Sequence, residues 1–154
     1  VGKNKMNKIL IACLGNIFYG DDGFGVEVAK ELLTKELPEN VKVLDFGIRG
    51  VDLAFELAEE YELVILVDTI KIGAEAGSIF VLEPELNGGK SEDLSHDLTP
   101  AKALQLAQSL NAKPKKILLV ACEPVNLEFN DKMSEAVKNA VEIAVEKVLE
   151  ILES

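Results

Sequence analysis

Two adjacent carboxylates, Asp21 and Asp22, stand inside a glycine-rich run, Gly15-Asn16-Ile17-Phe18-Tyr19-Gly20-Asp21-Asp22-Gly23-Phe24-Gly25. An apolar stretch, Lys8-Ile9-Leu10-Ile11-Ala12-Cys13-Leu14, precedes it, and amphipathic sequence follows from about Asp22. The carboxylates therefore fall where a first strand hands over to a first helix. In open α/β sheets, ligands bind in the crevice outside the carboxyl ends of the strands. The glycines leave room for a phosphate, but two negative charges repel one. That combination points to a metal ion or a cationic group. Asp68 follows another apolar run, Val64-Ile65-Leu66-Val67, and His96, the only histidine, lies in a polar segment ahead of a later helix. Asp22, Asp68 and His96 together make an oxygen, oxygen, nitrogen donor set suited to Zn, Ni, Fe or Mn. The same carboxylates could instead hold a water as general base. Plainer roles compete: an N-cap for Asp21 or Asp22, loop-amide bonding for Asp68, and solvation for His96. Strand order decides whether the three converge, and periodicity does not fix it.

The elements that must position these groups alternate along the chain. Strands are expected at 8–14, 41–46, 63–67, 78–82 and 116–121, and helices at 23–37, 51–58, 100–110 and 133–152. The third strand is a continuous Leu and β-branched run, as expected of a strand covered on both faces. The fourth follows it too closely for a helical crossover, which needs about a dozen residues, so it is expected antiparallel. Residues 87–97 read as a polar loop, and Thr99 and Pro100 as the N-cap and first position of the next helix. The order β-α-β-α-β-β-α-β-α implies a three-layer α/β/α sandwich. Its five-stranded sheet is expected to be mostly parallel, with helices on both faces.

The 154 residues fit one domain, 1–154, with 1–7 expected to be disordered or extended. Hydrophobic content of 48% and charged content of 28% are those of a globular chain. A net charge of −11 argues against nucleic acid or an anionic membrane as partner. No apolar run approaches the ~18–20 residues of a membrane span, and no signal-peptide pattern is present, so a cytoplasmic location is expected. Cys13 and Cys122 lie in apolar runs and read as reduced core residues rather than a zinc or redox pair. Gly89-Lys90-Ser91 imitates the end of a phosphate-binding loop, but Pro84 stands where that loop needs glycine. The spacing of Gly15, Gly20, Gly23 and Gly25 is not a dinucleotide fingerprint, and no Ser or Cys sits in a nucleophile elbow. Glu123, after the fifth strand, is expected to face solvent or form a salt bridge rather than line the crevice.

The chain resembles the hydrogenase maturation endopeptidases, which process the large subunit of nickel–iron hydrogenases. The resemblance runs from about Asn7 to Glu150. It rests on a strand followed by Gly15-Asn16, four variable residues, Asp21-Asp22 and Gly23-Phe24-Gly25. Asp45-Phe46-Gly47-Ile48-Arg49-Gly50, Val67-Asp68 and Ser95-His96-Asp97-Leu98 complete it. By this resemblance Asp22, Asp68 and His96 are the nickel-binding and catalytic positions, with Asp22 the shorter of the family's Asp and Glu variants. Glu123-Pro124 stands where the family often has Gln-Pro.

The resemblance implies an aspartic-type endopeptidase that recognises nickel already loaded into a large-subunit precursor. It would remove a short C-terminal extension and let the new terminus close the metal site. Nickel would come with the precursor, no organic cofactor is expected, and the enzyme is expected to be a monomer. A nickel-dependent docking chaperone without proteolysis is the alternative. A germination-protease-like peptidase and a nucleotide-binding module are more remote. The short chain and close Gly-Asn motif count against the first, the failed phosphate motifs against the second.

Overall fold

The computed structural model describes residues 7–47, 50–84, 114–130 and 132–154. His96, its expected loop, and the expected helix at 100–110 with its Thr99 cap lie outside the described residues. The elements in chain order are β1 (Ile9–Leu14), a 3-10 turn (Gly20–Gly23), α1 (Phe24–Leu32), β2 (Val41–Gly47), α2 (Gly50–Leu57), β3 (Leu63–Thr69), β4 (Ile79–Leu82), β5 (Lys116–Cys122) and α3 (Glu135–Glu153).

The described strands form one sheet in the order β2-β1-β3-β5-β4. β2, β1, β3 and β5 are parallel, and β4 runs antiparallel to β5 with Phe80 opposite Ala121. The antiparallel strand is the one expected from its short 70–78 connection. From β1 the chain passes outward to β2, whereas from β3 it passes the other way, towards β4. The carboxyl ends of β1 and β3 therefore flank a topological switch point, where open α/β sheets bind their ligands. These strands pair directly, Cys13 beside Val67, so their following residues emerge side by side.

Alternation along the strands builds a core on each face. Ile11, Cys13, Ile65, Val67, Val120 and Cys122 pack with Phe24, Val28 and Leu32 of α1 and with α3. Leu10, Ala12, Leu14, Val64 and Leu66 point the other way, onto Leu53 and Leu57 of α2 and onto Phe46 and Tyr61. Burial on both sides explains why β1 and β3 read as unbroken apolar runs. Helix α3 buries Val137, Ala140, Val141, Ala144, Val145 and Val148, a stripe at i, i+3, i+4, i+7. Both cysteines are buried and free, as expected. Burial, aided by nearby carboxylates, raises both thiols and makes them poor nucleophiles. Among the described residues no helix is long and apolar enough to cross a membrane.

Several boundaries differ from expectation. The first helix was expected over 23–37, but Gly20–Gly23 is a separate 3-10 turn and α1 ends at Leu32. Thr34 and Lys35 donate backbone bonds to Glu31 and Leu32, which tightens the end into 3-10 geometry. Leu33, an apolar residue within the expected range but past the last full turn, is exposed. The last helix starts at Glu135 rather than Met133, because Ser134 caps it by accepting a bond from Val137 N–H at 3.3 Å. β3 and β5 each run past the expected end, so Asp68 lies inside β3.

Candidate active site

The motif glycines bring α1 against the end of β1. A Cβ on Gly25 would collide with the Leu14 backbone carbonyl, and one on Gly15 with the carbonyl of Asp22. Gly15 also holds φ at +142°, where L side chains are rarely found. The loop thus folds back tightly enough for Asn16 N–H to reach Asp22 itself.

This fold separates the two adjacent aspartates. The Asp21 side chain is fully buried. Its Oδ2 accepts bonds from Val125 N–H at 2.7 Å, Asn126 N–H at 3.1 Å and the Ser134 hydroxyl at 3.0 Å, and its Oδ1 accepts one from Ser134 N–H at 2.7 Å. Ser134 in turn caps α3. Asp21 therefore ties the loop after β1 to the segment after β5 and to the start of α3. It caps no helix of its own, contrary to the N-cap reading: the 3-10 turn has no side-chain cap, and the residue capping α1 is Gly23. Asp22 does not cap α1 either.

Asp22 turns towards the carboxyl end of β3 and is half-buried. Its Oδ2 accepts a bond from Asn16 N–H at 2.9 Å, and its Oδ1 one from the Thr69 hydroxyl at 3.2 Å. Asp68, at the end of neighbouring β3, accepts from Thr69 N–H at 2.8 Å. Thr69 thus holds both carboxylates, one through its side chain and one through its backbone. Enclosure by protein raises the Asp68 carboxyl, the Thr69 N–H opposes this, and the charge of Asp22 adds to it; the result is a pKa pushed up to about 8. Two carboxyls side by side, one holding its proton near neutral pH, form a site whose charge a cation would relieve.

The structure brings Asp22 and Asp68 together, while the expected third member, His96, lies outside the described residues. Among the described residues no group of three His, Cys, Asp or Glu side chains is placed to hold a metal. The two carboxylates are hard oxygen donors that suit a divalent first-row ion in part, leaving room for further ligands. Sequence reasoning missed Thr69, although it directly follows the Val67-Asp68 pair.

Glu123 departs from expectation. It is buried rather than solvent-facing. Its carboxylate accepts from the backbone N–H groups of Ile72, Gly73 and Ala74 at 3.1, 3.2 and 3.1 Å. Burial works against its charge, but these bonds together with nearby Lys71 hold the carboxyl below the usual range. Glu123 anchors the loop leaving β3, which a residue count from β5 does not reveal.

The chain is similar to proteins of known family. A family model described as hydrogenase maturation protease matches residues 26–151. The chain is 32% identical to the hydrogenase expression/formation protein HupD of Rhizobium leguminosarum bv. viciae, over 96% of this chain and 75% of that protein. It is 33% identical to a putative hydrogenase maturation protease of Methanocaldococcus jannaschii, over 94% of this chain and 96% of that one. The solved structure of the hydrogenase maturating endopeptidase HybD from E. coli superposes with a TM-score of 0.81 at 29% identity, covering 95% of this chain and 92% of that chain. With a switch point that gathers two carboxylates and a family match across most of its length, the chain belongs to the hydrogenase maturation protease family, and its role is that of a protease in hydrogenase maturation.

Proposed function

We propose that this protein is the endopeptidase that removes a C-terminal extension from the nickel-loaded large-subunit precursor of a nickel–iron hydrogenase. The observation that carries the proposal is the meeting of Asp22 and Asp68 at the β1–β3 switch point, with Asp68 raised to about 8. Such a pair gains from an incoming cation. Nickel belongs to the substrate here: it arrives in the precursor, where it offers a positive centre to which Asp22, Asp68 and His96 would add oxygen and nitrogen donors.

The chain's own residues orient and charge the site. Asn16 N–H and the Thr69 hydroxyl fix the Asp22 carboxylate, and Thr69 N–H fixes Asp68. Asp68 keeps its proton near neutral pH until a positive centre makes ionisation favourable. Docking would thus place the scissile segment beside two carboxyl groups, either of which can move a proton to or from a water. Hydrolysis adds that water across one peptide bond. The carbonyl carbon gains the hydroxyl, the C–N bond breaks, and the departing amine takes the proton.

The test is the intact mass of a candidate precursor incubated with the protein, with and without nickel loading. Loss of one short C-terminal peptide from the loaded form alone is the expected result. Binding of the loaded precursor without any mass change would overturn the proposal in favour of a docking chaperone.

A further inference from the structure

Beside the carboxylates the surface changes character. Ile17, Phe18 and Tyr19, between Gly15 and Gly20 of the site loop, are 50%, 58% and 41% exposed. Val125 and Phe129, on the segment after β5, are 54% and 77% exposed. Tyr19 and Phe129 meet edge to face with ring centroids 5.7 Å apart. The patch is held firmly. Gly20 N–H donates to the Asn130 carbonyl at 2.6 Å, Asn130 N–H to the Phe18 carbonyl at 2.8 Å, and Asp21 N–H to the Asn126 carbonyl at 2.9 Å. The Asp21 carboxylate binds the same segment from beneath. Within each loop Asn16, Asn126 and Asn130 accept from backbone N–H groups two residues on, at 2.9, 2.7 and 2.9 Å. Five large apolar side chains are thus displayed on a scaffold whose backbone is already ordered. Exposed apolar patches of this kind mark interaction surfaces, and pre-ordering lowers the entropy cost of using them.

We infer that Ile17, Phe18, Tyr19, Val125 and Phe129 form a docking platform for an apolar stretch of the protein substrate next to its scissile segment. This rests on the protease reading above and names the recognition chemistry of the same site. The occupant follows from continuity. The platform and Asp22 share one loop, with only Gly20 and Asp21 between Tyr19 and Asp22. Three residues of chain span at most about 11 Å, so a polypeptide whose scissile segment reaches Asp22 lies beside this patch, whereas a second copy of this chain seated there would compete with the substrate. The platform borders a groove of about 1150 Å³ between α1 and α3, which is lined by Ile17 and Met133 but also by Glu27, Glu31, Lys138 and Glu142, so the apolar surface is that of the platform itself. Of the platform segments, 15–20 carries no charge and 124–130 only Glu128, on a chain of net charge −11. The contact it makes is therefore apolar rather than ionic.

The experiment compares Phe18→Ser, Phe129→Ser and the double variant with the wild type on nickel-loaded precursor. Phe55→Ser, exposed on α2 against the other face of the sheet, serves as control. All variants should melt within roughly 5 °C of wild type, because the rings removed are largely exposed, with Phe129→Ser and the double variant lowest because they lose the ring packed on Tyr19. The platform variants should raise KM by roughly tenfold or more while kcat at saturation stays within about twofold. Phe55→Ser should change neither. Wild-type precursor binding should also persist at high salt, because the contact is not ionic. Wild-type cleavage with an unchanged KM in the double variant would overturn the platform and leave the protease reading intact. A wild-type dimer that Phe18→Ser dissolves would overturn it in favour of self-association. Absence of wild-type cleavage of any loaded precursor would instead overturn the protease reading, and the platform with it.

Discussion

Asp21 and Asp22 are neighbours in sequence and opposites in environment. Around Asp21, two loops and a helix start converge on one carboxylate, which receives four hydrogen bonds and no solvent. Around Asp22, a second carboxyl faces it across Thr69, and the pair sits half-buried at the switch point. The first region uses negative charge to hold the fold together. The second holds a carboxyl that burial, and to a lesser degree the charge of its neighbour, disfavours in the ionised form, which leaves the site in need of a proton or a cation. On the proposed function, stability and catalysis are divided between adjacent residues.

The comparison can be broken from either side. The largest expected effect is on turnover. Asp22→Ala or Asp68→Ala should lower cleavage of loaded precursor by roughly a thousandfold or more while circular dichroism and melting stay near wild type, as for groups that act on the reacting centre. Next is Asp21→Ala, which leaves three backbone N–H groups and a hydroxyl without their acceptor. It should cost about 3–5 kcal/mol in denaturant unfolding, with catalytic capacity returning under conditions where the variant is folded. Equal losses of stability in Asp21→Ala and Asp22→Ala would erase the distinction.

A smaller effect concerns pH. The Asp68 carboxyl is raised in the folded state to about 8 from an ordinary value of 3.8. Between those values the folded state binds the extra proton, so this group's contribution to stability falls as pH rises through the window and is fully lost above the folded value. Without added metal, Asp68→Asn should therefore gain stability relative to wild type as pH rises, by about 1–2 kcal/mol or roughly 3–6 °C at pH 8, while losing activity. A difference independent of pH would contradict the assignment. The smallest effect is expected at Thr69. Thr69→Val removes the hydroxyl that steadies Asp22 and should lower kcat by about tenfold, whereas Thr69→Ser should restore most of it. Equal kcat in both variants would remove the positioning role.

The sequence carried the elements better than their relations. β1 and β3 were legible because both faces are covered, which leaves unbroken apolar runs in Leu10–Leu14 and Val64–Val67. The antiparallel β4 was legible from a connection too short for a crossover. The pairing of β1 with β3, which makes Asp22 and Asp68 neighbours, depends on non-local strand order and leaves no mark in periodicity. That Asp21 turns inward and is held by four bonds was also illegible, although Asp22 was already a candidate for the site. In a 3-10 turn, successive side chains point about 120° apart, and which one faced inward was settled by Val125, Asn126 and Ser134, over a hundred residues along the chain. Thr69 was overlooked because its two bonds matter only once both carboxylates are in place. Glu123 was misread because its partners are backbone N–H groups of a distant loop, which no side-chain pattern announces.

The most direct test is the intact mass of nickel-loaded precursor after incubation with Asp22→Asn protein, at a temperature where its melting curve shows it folded. The division of labour predicts a wild-type melting temperature and no released peptide. Release of the peptide at the wild-type rate would contradict it and remove Asp22 from the active site.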